Sequence, residues 1–149
     1  MNNDRLPVVG LQLLELTESK LQPAFEIIKQ LRNLTFAEFI DRIDKQKKYG
    51  YIIVGAFYGK EIVGVIGMRP VSTLARGSHL HVDDLVVDSH WRGQGVGKAL
   101  LSFAEKWAAH HSLGAVFLDS RPSVLPFYEN LGYSPHTAIL MRKRIDNIF

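Results

Sequence analysis

The sequence contains no cysteine among its 149 residues. This absence excludes disulfides, cysteine-ligated zinc, iron–sulfur clusters and a cysteine nucleophile, so any nucleophile or base must be another residue type. The chain also has no apolar run near the ~18 residues that a membrane span needs. Its N-terminus lacks the charged-then-apolar order of a signal peptide. These absences predict a cytoplasmic protein with no membrane partner.

The charge is close to balanced, with 18 Lys and Arg against 15 Asp and Glu, a formal net charge of +3. That surplus suits an anionic ligand, but the basic residues are too scattered to indicate DNA binding. The one basic run, at residues 142–144, is typical of a solvated strand edge. We therefore expect no nucleic-acid partner, and a basic nucleic-acid-binding domain is the disfavoured alternative.

The composition, 46% apolar and 22% charged, excludes a disordered, collagen-like or membrane-embedded chain. No internal repeat or linker-like segment divides it, so we expect a single domain over residues 1–149. Apolar periodicity predicts the order β-α-α-β-β-β-α-β-α-β. The strands are expected at 8–16, 51–57, 62–68, 79–88, 115–119 and 138–145, and the helices at 19–31, 35–48, 96–113 and 124–130. A hairpin followed by a βαβ crossover predicts an α/β fold class, a mixed α+β sheet covered by helices.

Three glycines, Gly93, Gly95 and Gly97, fall within five residues between a predicted strand and a predicted helix. Such a turn lets successive backbone N–H groups converge, and the helix start adds partial positive charge, so the segment suits phosphate or pyrophosphate. A P-loop would need Gly in place of Arg92 and Ser or Thr in place of Ala99, and a dinucleotide fingerprint needs different glycine spacing. The alternative is a turn that only connects two elements.

Two segments carry a family resemblance. Arg92 to Gly97, RGQGVG, matches the pattern Q/R-x-x-G-x-G/A, and Phe127 to Tyr133, FYENLGY, matches a second motif on a short helix. With these motifs and its element order, the sequence resembles the GNAT superfamily of acetyl-CoA-dependent N-acetyltransferases. The resemblance implies a central, mostly antiparallel sheet that is splayed at the cofactor site and flanked by helices.

The resemblance also implies acetyl-CoA as cosubstrate and no metal, and a homodimer stays open. The backbone of Leu85, Val86 and Val87 would pair with the pantetheine arm, in a gap between this strand and residues 115–119. The backbone N–H groups that would hold the pyrophosphate are those of Arg92, Gly93, Gln94, Gly95, Val96, Gly97 and Lys98.

Three residues are candidates for the chemistry. Tyr128 lies where the family places the acid that protonates the thiolate, although it could be a packing residue. In this family, acid–base residues often lie on this strand two or four positions before the first residue that pairs with pantetheine. Counted back from Leu85, the resemblance therefore implies Asp83 and His81 as candidate bases; His81 has the pKa better suited to neutral pH, and Asp83 could act through water. Alternatively, both only line the cleft. By the period of two, His79, His81, Asp83, Leu85 and Val87 are expected on one face, and Val82, Asp84 and Val86 on the other.

These observations predict an N-acetyltransferase that moves an acetyl group from acetyl-CoA to a primary amine of a small molecule or peptide by direct attack. A catalytically silent acyl-CoA-binding sensor is the alternative. A metal site on the row His79, His81 and Asp83 is disfavoured because no further ligand cluster completes it. Acceptor specificity is expected in residues 33–48 and 70–78.

Overall fold

The computed structural model describes residues 10–145 of the chain. The strands within this range are β1 (Leu11–Glu15), β2 (Ile52–Tyr58), β3 (Glu61–Thr73), β4 (Gly77–Val87) and β5 (Val116–Leu118), and the helices are α1 (Leu21–Ile28), α2 (Phe36–Lys47), α3 (Val96–His110) and α4 (Leu125–Asn130). Two compact units are distinguished, one ending at Asp119 and one beginning at Ser120. The expectation of a single domain over residues 1–149 stays a prediction.

All five strands lie in the first unit and form one sheet in the order β1-β2-β3-β4-β5. Strands β1 to β4 pair antiparallel, and β5 joins β4 in parallel. The predicted β2–β3 hairpin is confirmed, and it turns at Gly59, whose φ of 62° favours glycine. The predicted mixed, mostly antiparallel sheet is therefore confirmed. Val8 and Val9 of the first predicted strand lie outside the described residues.

The β3–β4 hairpin is longer than the sequence predicts. β3 continues past Pro70 to Thr73, and β4 begins at Gly77, so most of residues 70–78 is strand rather than the connection expected there. Pro70 is compatible with this extension because β2 pairs with β3 only as far as Met68. Beyond that point β3 has no neighbour on this side within residues 10–145, and a free edge tolerates a residue without an N–H.

The β3–β4 pairing shifts by one residue near its middle. Met68 is opposite Val82, but the next residue along β3, Gly67, is opposite Asp84. Asp83 is therefore an extra residue on β4, a β-bulge, and bulges interrupt the alternation of side chains. The expectation that Asp84 faces away from Asp83 is wrong, because both carboxylates line one cavity.

The helices of the first unit cover both faces of the sheet. Val65 of β3 belongs to the apolar cluster that contains the buried side chains of α1 and α2. Its neighbour Gly64 faces the other way, where an added Cβ would lie 2.8 Å from Val96 and 3.1 Å from Leu100 of α3. Because successive strand residues point to opposite faces, α3 packs on the face opposite α1 and α2. Among the described residues, no helix is both long and apolar enough to cross a bilayer.

Helix α2 begins where the sequence predicts. Thr35 accepts a hydrogen bond from the Glu38 backbone N–H at 3.1 Å, and the Glu38 carboxylate accepts one from the Thr35 N–H at 3.1 Å. This reciprocal capping box satisfies two donors that a helix start otherwise leaves unpaired. Phe39 and Ile43, one turn apart, are buried and direct the helix onto the core.

The predicted end of helix α3 and the predicted strand at residues 138–145 are wrong. The buried face of α3 holds Leu101, Ala104 and Ala108 besides Val96 and Leu100, whereas Phe103 and Trp107 are only half-buried. The helix ends at His110, and Ser112 rather than Gly114 has the left-handed backbone. Residues 138–145 form no strand, and Ile139, Leu140 and Met141 are at least 84% exposed. A β-prone segment needs a pairing partner, and none of the described strands pairs with it.

Gly67 makes room for a buried tyrosine. Tyr51, at 5% exposure, places its hydroxyl where a Cβ on residue 67 would lie 1.7 Å away. The same hydroxyl donates a 2.7 Å hydrogen bond to the Asp84 carboxylate. The missing side chain at Gly67 therefore sets the position of Tyr51 and, through it, of Asp84.

We expect Gly67→Ala to destabilise the protein by about 1–3 kcal/mol, the usual cost of overpacking a close-packed interior. Gly114→Ala is the matched control, because its Cβ would meet only the Ser78 carbonyl oxygen at an ordinary 3.7 Å. Urea unfolding followed by circular dichroism measures both variants. Equal stabilities of the two variants would contradict the close packing of Tyr51 against residue 67.

Candidate active site

β4 has a partner strand on its β5 side over only part of its length. The parallel pairing covers three positions, from Leu80 opposite Val116 to Val82 opposite Leu118. Beyond Val82, β4 continues to Val87 with no strand on that side among residues 10–145. The backbone of Leu85, Val86 and Val87 therefore has an open edge, and an open edge can pair with an extended ligand.

The glycine-rich segment joins this open edge to α3. Gly93 and Gly95 have φ values of 75° and 87°, and Gly95 is the N-cap of α3. The first bond of the helix runs from the Ala99 N–H to the Gly95 carbonyl at 3.0 Å, so the N–H groups of residues 96–98 have no acceptor within α3. These donors and the helix dipole make the loop suited to an anion.

Residues from β3 and from the segment just after α1 hold the start of the glycine-rich loop. The Asp88 N–H donates to the Val63 carbonyl at 2.9 Å, which continues the pairing of β4. Gln30, just past α1, donates to the Asp88 carboxylate at 2.9 Å and accepts from the Ser89 N–H at 3.1 Å. The loop therefore leaves the sheet from a defined position.

His81 and Asp83 lie together where β5 stops pairing with β4. The His81 Nε2 atom is 3.7 Å from an Asp83 carboxylate oxygen and 3.7 Å from one of Asp119. The other Asp83 oxygen accepts a 2.8 Å hydrogen bond from Arg69. Burial lowers the pKa of His81, while Asp83 and Asp119 oppose part of that shift. The imidazole is therefore neutral at pH 7 and able to accept a proton.

His79 has a structural environment instead. It is 2% exposed, donates from Nδ1 to the Gly77 carbonyl at 2.9 Å, and its ring meets the Phe117 ring at 4.9 Å between centroids. Within residues 10–145, no group of three or more His, Asp or Glu side chains is arranged to hold a metal ion.

A second carboxylate, Asp84, lies beside Asp83 in a hydrogen-bonded network that the sequence does not predict. Arg32 donates to the Asp84 carboxylate at 3.1 Å and to the Asp83 carbonyl at 2.9 Å, and Tyr51 donates to the other Asp84 oxygen. Burial and then the Asp84 charge raise the pKa of Tyr51 well above its usual value, so its hydroxyl stays protonated. Arg32 and Tyr51 are far from Asp84 in sequence, so it is the fold that brings the three together.

A cavity of about 390 Å³ opens next to these carboxylates, between α1, α2 and β4. It is lined by Ile28, Arg32, Leu34, Phe39, Arg42, Ile43, Lys45, Gln46, Tyr51, Asp83 and Asp84. Its size suits a small-molecule ligand. The lining includes much of the segment 33–48 in which acceptor specificity is expected, and nothing from residues 70–78.

Tyr128 lies in the second unit, on α4. Its ring packs edge-on against Phe127 at 5.1 Å and against Tyr133 at 6.1 Å between centroids. Burial raises the pKa of Tyr128 above its usual value, so the hydroxyl is protonated at neutral pH. The structure thus groups His81 with Asp83 in the first unit and places Tyr128 in the second.

The profile of the acetyltransferase (GNAT) family matches residues 13–133 of the sequence. The chain belongs to the GNAT acetyltransferase family. This GNAT protein is therefore an acyltransferase, an enzyme that acetylates an amine. The predicted family, fold class and enzyme class are confirmed.

Individual relatives agree with this assignment. The GNAT protein is 32% identical to a glucosamine 6-phosphate N-acetyltransferase of Trypanosoma brucei brucei over 137 residues, which cover 87% of this chain and 92% of that one. It is 27% identical to the solved glucosamine-6-phosphate N-acetyltransferase of Arabidopsis thaliana, with a TM-score of 0.76 and coverage of 91% and 99%. An aminoglycoside N-acetyltransferase solved in complex with CoA has the same fold, at 16% identity, a TM-score of 0.78 and coverage of 91% and 95%.

We expect Gly97→Val to weaken acetyl-CoA binding by about tenfold or more, the effect of losing one hydrogen bond to a charged group. The branched side chain would stand beside the N–H groups at the start of α3. Ala109→Val is the matched control, because it adds the same side chain to the exposed C-terminal end of the same helix. Calorimetric titration measures both variants, and parental affinity in a folded Gly97→Val protein would contradict an anion site at the loop.

Proposed function

We propose that this enzyme transfers the acetyl group of acetyl-CoA to a primary amine of a small molecule by direct attack, without an acyl-enzyme intermediate. The observation that carries the proposal is the course of β4. It runs from the neutral His81 beside Asp83, along an edge that β5 leaves open, to a glycine loop suited to an anion. The absence of cysteine supports direct attack, because no thiol is available to form a thioester with the enzyme.

Acetyl-CoA would lie along this course. Its pyrophosphate would accept hydrogen bonds from the backbone N–H groups between Arg92 and Lys98, and its pantetheine arm would pair with the backbone of residues 85–87. The thioester would then reach the point where β4 and β5 part, near His81. Binding by backbone groups needs few particular side chains, since the geometry of the strand edge and the helix start supplies the donors.

His81 would act as the base. A free amine with a pKa of ~10.4 is only about 1 part in 2,500 neutral at pH 7, a cost near 4.6 kcal/mol. A neutral imidazole can take the proton as the amine attacks, and the nearby carboxylates of Asp83 and Asp119 would stabilise the imidazolium that forms. Asp83 acting through a water molecule is the second candidate for this role.

Tyr128 would act as the acid that protonates the departing CoA thiolate. Burial keeps its hydroxyl protonated. Transfer from an ordinary phenol of pKa ~10 to a thiolate of pKa ~8.5 is uphill by about 2 kcal/mol, and the raised pKa of Tyr128 adds to that cost. A silent acyl-CoA-binding sensor would need the loop but neither of these groups, and no observation favours it.

The relatives suggest the first acceptors to assay. One of them is named a glucosamine 6-phosphate N-acetyltransferase, which supports an amine on a small molecule as the acceptor. CoA release from acetyl-CoA, measured with amino sugars, polyamines, amino acids and peptides, tests the proposal. No CoA release above background with any amine would overturn it.

We expect His81→Gln to change the pH dependence of kcat/KM. A base must be unprotonated, so activity should fall as the pH drops through the pKa of His81. Burial lowers that pKa, so the acidic limb should lie below pH 6.5. Gln keeps a polar side chain of similar reach but cannot accept the proton, so the limb should disappear and the rate at neutral pH should fall.

His79→Gln is not a suitable control because His79 is buried, so His90→Gln, in an exposed position, serves instead. An unchanged profile at near-parental rate would transfer the role to Asp83 or water.

We expect Tyr128→Phe to lower kcat by about 100-fold at neutral pH, within the range that a positioned acid contributes. The ring and its packing remain, so the KM for acetyl-CoA and the melting temperature should change little. Phe127→Leu is a control for packing, since it alters the neighbouring ring without removing a hydroxyl. A loss of kcat smaller than about threefold, with chemistry rate-limiting, would leave Tyr128 as a packing residue.

A further inference from the structure

The charged residues that helix α2 contributes to the cavity beside Asp83 and Asp84 are all cations. The helix carries three acidic residues, Glu38, Asp41 and Asp44, and none of them lines the cavity. Its charged lining residues are Arg42 and Lys45. Arg42 follows the buried Phe39 by three residues and Lys45 follows Arg42 by three, so the two cations lie on neighbouring parts of the helix surface.

The carboxylates on the opposite wall do not neutralise these cations. Asp84 already has Arg32 at 3.1 Å, and Asp83 already has Arg69 at 2.8 Å. Arg42 makes no ion pair with any of residues 10–145. Its charge acts on Glu38, one turn earlier, whose pKa is lowered first by hydrogen bonds from Thr35 and to a smaller degree by Arg42. Arg42 therefore lines the cavity without a direct ion-pair partner among the described residues.

Lys45 can contribute to the same wall. Its 2.9 Å ion pair with Asp41 is an exposed contact, with both side chains at least 60% accessible. Such surface pairs contribute little to stability, so a bound anion can take the ammonium group from Asp41 at small cost. Arg42 and Lys45, three residues apart on the helix, match the double negative charge of a phosphomonoester. The guanidinium of Arg42 can bind two oxygens of the phosphate.

We infer that this cavity is the acceptor site and that it selects a primary amine which also carries a phosphomonoester. The amine would lie toward Asp83 and His81, and the phosphate would bind Arg42 and Lys45. This inference rests on the proposed amine acetylation and names its acceptor class. Arg42 is then a substrate-contacting specificity residue contributed by α2, outside the β4 strand and the glycine loop.

The test compares glucosamine 6-phosphate with glucosamine, which present the same amine with and without the phosphate. We expect the wild-type kcat/KM to be higher for the phosphorylated amine by about tenfold or more, the effect of one hydrogen bond between charged groups. Arg42→Gln should remove most of that preference by lowering only the rate with the phosphorylated amine. Lys45→Gln should do so to a smaller degree, and the preference should fall as salt is raised.

Lys47→Gln is the matched control, because it removes one cation from the same helix at an exposed position that does not line the cavity. It should leave both rates unchanged. Equal rates of the wild-type protein with the two amines, or a parallel loss of both rates in Arg42→Gln, would overturn the inference while leaving amine acetylation in place.

A binding measurement makes the test independent of turnover. In calorimetric titrations with CoA present, glucosamine 6-phosphate should bind to the wild-type protein and to Lys47→Gln, and about tenfold more weakly to Arg42→Gln. Binding with this pattern but without CoA release in any assay would contradict the proposed function and support the phosphate site. No binding to the wild-type protein would overturn the phosphate site whatever the activity.

Discussion

The hydrogen-bond ladder between β3 and β4 shifts by one residue at Asp83, and the arrangement of the candidate site depends on that shift. Without the extra residue, Asp83 and Asp84 would point to opposite faces of the sheet. With it, Asp83 contacts Arg69 and His81, while Asp84 contacts Arg32 and Tyr51, beside the same cavity. Bulges next to active sites redirect side chains in this way. One inserted residue thus places two carboxylates at a single site.

The charges of the first unit follow a simple pattern around this point. Asp83 and Asp84 each have an arginine partner, and these two positive charges offset the repulsion between the neighbouring carboxylates. His81 differs, because burial outweighs the attraction of its two carboxylate neighbours and keeps the imidazole neutral. A neutral base beside fixed negative charges is ready to accept a proton and stabilise the cation that forms. Of this cluster, His81 is therefore the group that we propose as the base.

In the proposed function, the same strand would also link the chemistry to cosubstrate binding. β4 is paired with both β3 and β5 from Leu80 to Val82, and it is open on one side from the bulge to the glycine loop. The parting of β5 from β4 gives an extended ligand the pairing groups that a neighbouring strand would otherwise use. Gln30 and Val63 hydrogen-bond to Asp88 directly after the strand and so hold the start of the loop against the sheet. In the proposed function, this edge would align the cosubstrate.

The sequence alone determined the features that depend on local spacing: the α2 capping box, the β2–β3 hairpin, the glycines before α3, and the family motifs. These follow from interactions between residues a few positions apart, so a linear pattern records them. It did not determine the bulge at Asp83, which depends on register with β3, nor the contacts of Arg32 and Tyr51 with Asp84. Nor did it show that residues 138–145 would lack a strand, because a β-strand requires a pairing partner, often one that is distant in the chain. Tertiary structure decided these points, since pairing register, burial and charge neighbours are set by elements that meet only in the fold.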